Sequence, residues 1–247
     1  MENAPKNLIL LPGLLCDGSV WGDQTRALSD IATCVPVEWS DEDSLVAMAH
    51  TALRRAPERF AVAGHSMGGR VALEVYRAAP ERVTHIALFN TGYLPHPKDA
   101  SGDKEARERY ALLEVARTQG MAAMAEQWAP PMVHPGRRTD RGFIGRIVEM
   151  FARKTPDIFE RQIRALLNRP DATDVLKQIR CPALLLSGRE DGWSPPQRHA
   201  DMVALIPGIP SHKPHLAAVA DCGHMSTWEQ PDAVSAAMRT WLFEADS

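Results

Sequence analysis

Cysteine is scarce. Cys16, Cys34, Cys181 and Cys222 stand far apart among 247 residues, and none forms a CxxC pair. That excludes the dense cysteine framework of a small stapled domain and the repeated ligand spacing of a structural zinc site. Dispersed cysteines in a chain of this size read as free thiols, which suits a reducing compartment; the expected location is cytoplasmic. An excess of one charge is also lacking. The formal net charge is −3, against the basic surplus of a nucleic-acid binder, so no nucleic-acid partner is expected. No apolar run approaches the roughly 20 residues that span a bilayer, so no membrane insertion is expected. Residues 1–7 are polar and the apolar run 8–11 stops at Pro12, so no secretory signal is expected there.

What remains is ordinary globular composition, 45% hydrophobic and 24% charged, in a chain long enough for one α/β domain with a large core. It is organised around Gly64-His65-Ser66-Met67-Gly68-Gly69. The apolar run Phe60-Ala61-Val62-Ala63 leads in, and an apolar-periodic segment, 71–79, leads out. This predicts a strand, a sharp turn and a helix with a serine at the apex, the context of the G-x-S-x-G nucleophile elbow. At such an apex the residues two before and two after the serine crowd each other. Gly64 and Gly68 therefore have a steric reason. The backbone N–H of Met67, opening the helix, would point at an oxyanion formed beside the serine.

Buried strands are expected at 7–11, 33–39, 59–63, 83–90, 182–187 and 215–220, and helices at 20–29, 44–56, 68–79, 173–178, 195–205 and 227–245. Such alternation predicts a mostly parallel sheet of about six strands covered by helices on both faces. Ligands of such sheets sit beyond the carboxyl ends of the strands, and Ser66 lies at one of them. The alternation lapses over 95–170, where only helices are expected, at 103–118, 120–128, 141–154 and 156–168. The expected division is a core of 1–94 and 171–247 with a helical insertion at 95–170.

A serine hydroxyl is a poor nucleophile at neutral pH and needs a general base, itself oriented by a carboxylate. In chain order after Ser66, the loop Ser187-Gly188-Arg189-Glu190-Asp191 follows a strand and offers the acid. Asp191 is the candidate, and chemistry alone does not separate it from Glu190. The loop Asp221-Cys222-Gly223-His224 offers the base. The other histidines sit worse: His65 inside the elbow, His85 inside a strand, His50 in a helix, and His96, His134, His199, His212 and His215 in loops or on helix faces.

The chain resembles the α/β-hydrolase superfamily over nearly its whole length. Leu10-Leu11-Pro12-Gly13-Leu14 is similar to the family's strand-end loop that usually reads His-Gly. Gly64 to Gly69 matches the elbow, Gly188-Arg189-Glu190-Asp191 with Pro195 the acid loop, and Gly223-His224 with Glu229 and Pro231 the histidine loop. The resemblance favours Asp191 over Glu190 and implies a triad of Ser66, Asp191 and His224. It implies the N–H of Leu14 as second oxyanion donor beside Met67, although Pro12 replaces the usual histidine. It also implies that 95–170 is a cap over the serine. The family often has a hairpin before the first of these strands, and with six residues ahead of Asn7 it is expected to be missing.

Leu15, Met124, Trp128, Trp193 and Met225 are candidate pocket residues. Arg137, Arg138, Arg141 and Arg146 could bind a carboxylate, though a solvated face is the plainer expectation. Cys16 and Cys222 flank the site as small packing residues. Together these features predict a serine hydrolase that cleaves a small to medium, largely apolar carboxylic ester through an acyl-enzyme. The partner is a small-molecule acyl substrate, and neither metal nor organic cofactor is called for. Lactonase, thioesterase, C–C bond hydrolase and perhydrolase activities use the same triad in the family, and a ligand-binding protein on the same scaffold is the alternative outside catalysis. Serine at the elbow argues against the family's dehalogenases and epoxide hydrolases, which use a carboxylate nucleophile.

Overall fold

Runs that are apolar on both faces find burial only inside a parallel sheet covered on both sides. Such runs form the centre of a six-stranded sheet here, in a computed structural model that describes residues 6–207 and 213–243. Its strands are β1 (Lys6–Leu11), β2 (Ala32–Pro36), β3 (Phe60–His65), β4 (Val83–Phe89), β5 (Ala183–Gly188) and β6 (His215–Val219). The order is β2-β1-β3-β4-β5-β6 and every pairing is parallel. All residues of β3, β4 and β5 are buried, whereas β6 is an exposed edge. The order reverses at β1, so the carboxyl ends of β1 and β3 open the crevice where such sheets bind ligands.

Helices α1 (Gly22–Ala27), α2 (Leu45–Arg55) and α3 (Met67–Ala78) connect the first four strands. Ser44 caps α2, its side chain accepting from the Ala47 N–H. The helix expected at 20–29 is instead a 3₁₀ turn, Gly18–Trp21, followed by α1. Asp17 starts it by accepting from the Ser19 N–H.

Between β4 and β5 the chain is helical: α4 (Ala100–Gln119), α5 (Met121–Trp128), α6 (Arg141–Ala152) and α7 (Pro156–Leu167). Leu113, Met124, Ile147, Phe151, Phe159 and Ile163 are buried within it. Ion pairs tie its far end to the loops beyond β1 and β2: Arg153 with Asp17 at 2.6 Å and Lys154 with Glu38 at 3.0 Å.

Helices α8 (Thr173–Gln178) and α9 (Pro196–Leu205) flank β5. The single helix expected at 227–245 is two, α10 (Ser226–Glu229) and α11 (Pro231–Leu242). Pro231 has no N–H to continue the ladder from α10, and it opens α11 where that N–H is not needed. The expected end at Ala245, His212 and the expectation about a hairpin ahead of Asn7 lie outside the described residues. Among the described residues no helix is long and apolar enough to cross a membrane.

Candidate active site

Three strand ends bring the candidate residues together. At the end of β3, Ser66 has φ 55° and ψ −115°, a conformation disfavoured for an L-residue. The strain is held from both sides: Ser66 N–H donates to Phe89 O at 2.8 Å, and Thr91 Oγ1 donates to Ser66 O at 2.6 Å. Sterics require the flanking glycines. A Cβ on Gly64 would lie 2.1 Å from Gly68 O, and one on Gly68 2.1 Å from Leu11 O.

Beyond β5, Asp191 is buried, and each carboxylate oxygen has two donors. Oδ1 accepts from the N–H groups of Trp193 and Ser194, both at 2.9 Å. Oδ2 accepts from Asn90 Nδ2 and His224 Nδ1, both at 2.9 Å. Burial pushes this carboxyl up, but His224, Asn90 and the Ser194 N–H outweigh burial and hold it well below the usual carboxylate range. Glu190 turns away and accepts from the Cys222 N–H at 2.9 Å. The geometry therefore separates the two neighbouring acids that chemistry alone left open.

Beyond β6, His224 sits between Asp191 and Ser66. An ionised carboxylate only accepts, so Nδ1 carries the proton and Nε2 is left to accept from Ser66 Oγ, 2.9 Å away. The loop is held by Glu229, which is buried and accepts from Gly223, Met225 and His134 N–H groups at 3.0, 3.1 and 2.7 Å. His65 Nε2 donates to His224 O at 2.8 Å. Sequence reasoning gave Asn90 no part and gave Glu229 only a place in a motif. The signal for Asn90 was its position just past a fully buried strand, where a polar side chain can reach a neighbouring strand end.

The residues of the two expected oxyanion donors lie beside Ser66: Leu14 lines the smaller of two cavities with it and Met67 the larger. Met67 opens α3, and Leu14 lies in the loop beyond β1. Neither N–H bonds a described residue. The loop is pressed close: a Cβ on Gly13 would meet Ser66 Cβ at 3.2 Å. The next residue, Leu15, has φ 59°, and its N–H donates to Gln162 Oε1 of α7 at 2.8 Å. Cys16 and Cys222 are buried, which pushes the Cys16 thiol up to about 12 and the Cys222 thiol also upward. Both remain protonated packing residues rather than nucleophiles.

Ser66 lies between two cavities. The smaller, about 60 Å³, is lined by Gly13, Leu14, Cys16, Phe151 and Met225 among others. The larger, about 800 Å³, runs under α4, α5 and α7. Trp128 and Trp193 line both. Their rings stack with centroids 5.6 Å apart, and Trp193 lies 5.0 Å from the His224 ring. Trp128, Trp193 and Met225 thus fall where pocket residues were expected. Leu15 and Met124 do not, for both side chains are fully buried in apolar packing and line neither cavity.

The charged lining comes from residues that the sequence did not single out. Arg137, Arg138, Arg141 and Arg146 line neither cavity. Arg137 lies over Phe143 and Arg146 over Trp228, at 5.0 and 4.5 Å from the ring centroids. The larger cavity is lined instead by Arg70, Arg109, Arg169 and Arg198. These arginines lie far apart in sequence and only the fold gathers them, so no local pattern announced them.

Known proteins share this arrangement of the chain. A hydrolase of 2-hydroxy-6-oxononadienedioate and 2-hydroxy-6-oxononatrienedioate from Cupriavidus pinatubonensis is 29% identical over 187 residues, 71% of this chain and 59% of the relative. The chain thus matches under two thirds of that relative's length. A pimeloyl-[acyl-carrier protein] methyl ester esterase from Aliivibrio salmonicida is 26% identical over 227 residues, 83% of this chain and 82% of the relative. The structure of a thermophilic esterase from Thermogutta terrifontis, with malate bound, superposes with a TM-score of 0.83 at 25% identity, covering 99% of this chain and 92% of that one. The model of the alpha/beta hydrolase family matches residues 8–237. With its parallel sheet, strained serine turn and three strand-end loops, the chain belongs to the alpha/beta hydrolase family.

Proposed function

We propose that the protein is a serine hydrolase of carboxylic esters. One observation carries this reading: the unbroken run of hydrogen bonds from Ser66 Oγ to His224 Nε2 and from His224 Nδ1 to Asp191 Oδ2, each 2.9 Å. Ser66 Oγ attacks the acyl carbonyl while His224 Nε2 takes its proton. Asp191 keeps the imidazole in the required tautomer and stabilises the imidazolium. The N–H groups of Met67 and Leu14 bind the oxyanion. His224 then protonates the leaving alcohol, and water resolves the acyl-enzyme by the same steps in reverse. The helical segment between β4 and β5 acts as the cap, with Trp128 presenting an apolar wall to the substrate.

Two relatives named as esterases support an ester substrate. The Cupriavidus relative is named for a hydroxy-oxo-dioate, which is not an ester. That name supports a second reading, attack by the same serine on a ketone carbonyl.

Turnover of p-nitrophenyl esters from acetate to decanoate, with and without a serine-directed fluorophosphonate, tests the first reading. Multiple turnover blocked by the reagent is expected, with Ser66→Ala at least about 10³-fold slower. Most of the rate surviving in Ser66→Ala would sink the mechanism. Labelling of Ser66 without ester turnover would favour the ketone reading.

A further inference from the structure

Resting on the serine-hydrolase reading above, we propose that Arg70 and Arg198 form an anion subsite in the larger cavity that receives a carboxylate at the far end of the ester substrate. The substrate then has one small arm, in the 60 Å³ pocket, and one longer arm ending in a negative charge.

The four arginines of the larger cavity are not equivalent. Glu105 is taken up by two of them. Its Oε1 accepts from Arg109 Nε at 2.9 Å and Arg169 Nη1 at 2.8 Å, and its Oε2 from Arg169 Nη2 at 2.7 Å. The other carboxylate of the lining, Glu108, is exposed and faces Lys104 at 3.6 Å. Arg70 and Arg198 therefore form no ion pair with a carboxylate among the described residues, and Glu105 acts on Arg70 only at longer range. Arg70 Nη1 donates to Leu94 O at 2.9 Å, and Arg198 Nη1 to Trp193 O at 2.7 Å and Ser194 Oγ at 3.4 Å. A guanidinium has five N–H donors, so most of theirs remain unused.

Gly92 brings the two together. A Cβ there would lie 3.0 Å from Arg70 Nη2 and 3.6 Å from Arg198 Nη1, so both guanidiniums approach one point. Two like charges in a half-buried cavity repel each other unless an anion joins them. Burial first, then Arg169 and Arg198, push the Arg70 pKa down to about 9, with Glu105 pulling the other way. A carboxylate supplies the acceptor that paired guanidiniums match. Ser66 lines the same cavity, so a substrate whose charged end is held there is presented to the nucleophile.

Isothermal titration of the Ser66→Ala protein tests the assignment without turnover. Two isosteric pairs serve as probes: monomethyl adipate against methyl hexanoate, and 5-acetoxypentanoate against pentyl acetate. At least one anion is expected to bind about tenfold or more tightly than its neutral partner. The advantage is expected to fall below about twofold on adding Arg198→Gln, with Arg70→Gln as the second variant, and to persist with Arg137→Gln, which lies outside the cavity. Equal binding within both pairs, or an advantage untouched by Arg198→Gln and Arg70→Gln, overturns the subsite. The unmutated protein then separates the two readings. Charge-selective binding with no ester turnover sinks the hydrolase mechanism and keeps the subsite. Turnover indifferent to charge does the reverse.

Discussion

Asn90 Nδ2 lies 2.9 Å from Asp191 Oδ2, the oxygen that His224 Nδ1 also reaches at 2.9 Å. Asn90 thereby fixes the carboxylate plane that aims the histidine. Its own amide is locked: Nδ2 also donates to Gly223 O at 3.2 Å, and Oδ1 accepts from Ser226 Oγ at 2.5 Å. Asn90 has φ 49°, a left-handed conformation that asparagine tolerates. Asn90→Ala is expected to lower kcat about tenfold or more with a smaller change in KM, because the aim of His224 counts most in the transition state. A loss of activity that only matches a loss of folded protein would leave Asn90 a structural residue only.

Asp191 and Glu190 are neighbours with different surroundings, and their variants should differ as sharply. Asp191→Asn presents an amide where the imidazole needs an acceptor, and kcat is expected to fall by about 10³–10⁴. Glu190→Gln loses one charged bond to the Cys222 N–H at the exposed edge of the loop, and a change within about threefold is expected. Steady-state kinetics of the two variants on one ester checks this. Comparable losses in both would mean that the acid is misassigned.

Local chemistry explains why the triad and the sheet were legible in the chain. Gly64 and Gly68 are dictated by contacts within the elbow itself, and β1, β3, β4 and β5 are runs too apolar for any other place. Each of these signals lies within a few consecutive residues. The break at Pro231 was missed, because the apolar periodicity on either side of it reads as one helix. What escaped depends on distant pairs. Gln162 meets Leu15 across 147 positions and Asn90 meets Asp191 across 101. The four arginines of the larger cavity come from α3, α4, α9 and the stretch after α7. Arg137, Arg138, Arg141 and Arg146 cluster in sequence and were still expected first as a solvated face; they line neither cavity, and Arg137 and Arg146 lie over aromatic rings.

Gln162 couples the helical segment to the backbone beside Ser66. Its Oε1 accepts the Leu15 N–H at 2.8 Å, one residue past the proposed donor Leu14, while its Nε2 is buried without a partner. Gln162→Leu leaves the Leu15 N–H unsatisfied, a cost of about 1–3 kcal/mol, and lets the loop relax. A fall in kcat of about 10–100-fold is expected, with a smaller change in KM, because the oxyanion contact exists mainly in the transition state. Gln162→Glu retains an acceptor for Leu15 and is expected to recover most of the rate. Equal loss in both variants would assign Gln162 to packing alone.

Two buried histidines make the fold sensitive to acid. His199 accepts from the Thr91 N–H through Nε2 at 3.2 Å and faces Pro195 O through Nδ1 at 3.3 Å, so it is built to be neutral. Burial lowers its pKa to about 4, and burial followed by the nearby His224 lowers that of His65 to about 4 as well. Unfolded, both titrate near 6.5. Between pH 6.5 and 4 the unfolded chain therefore binds more protons than the folded one, and stability rises with pH across that window. Their contribution is fully present above pH 6.5 and is lost as pH falls toward 4. Asp191, also depressed, adds its own loss only below the ordinary carboxylate range. The melting temperature is expected to be level above about pH 7 and to fall steadily from pH 6.5 to 4. In His199→Gln, whose amide oxygen can still accept from Thr91, the slope should be about half as steep. An unchanged slope in that variant would show that His199 does not carry the acid sensitivity.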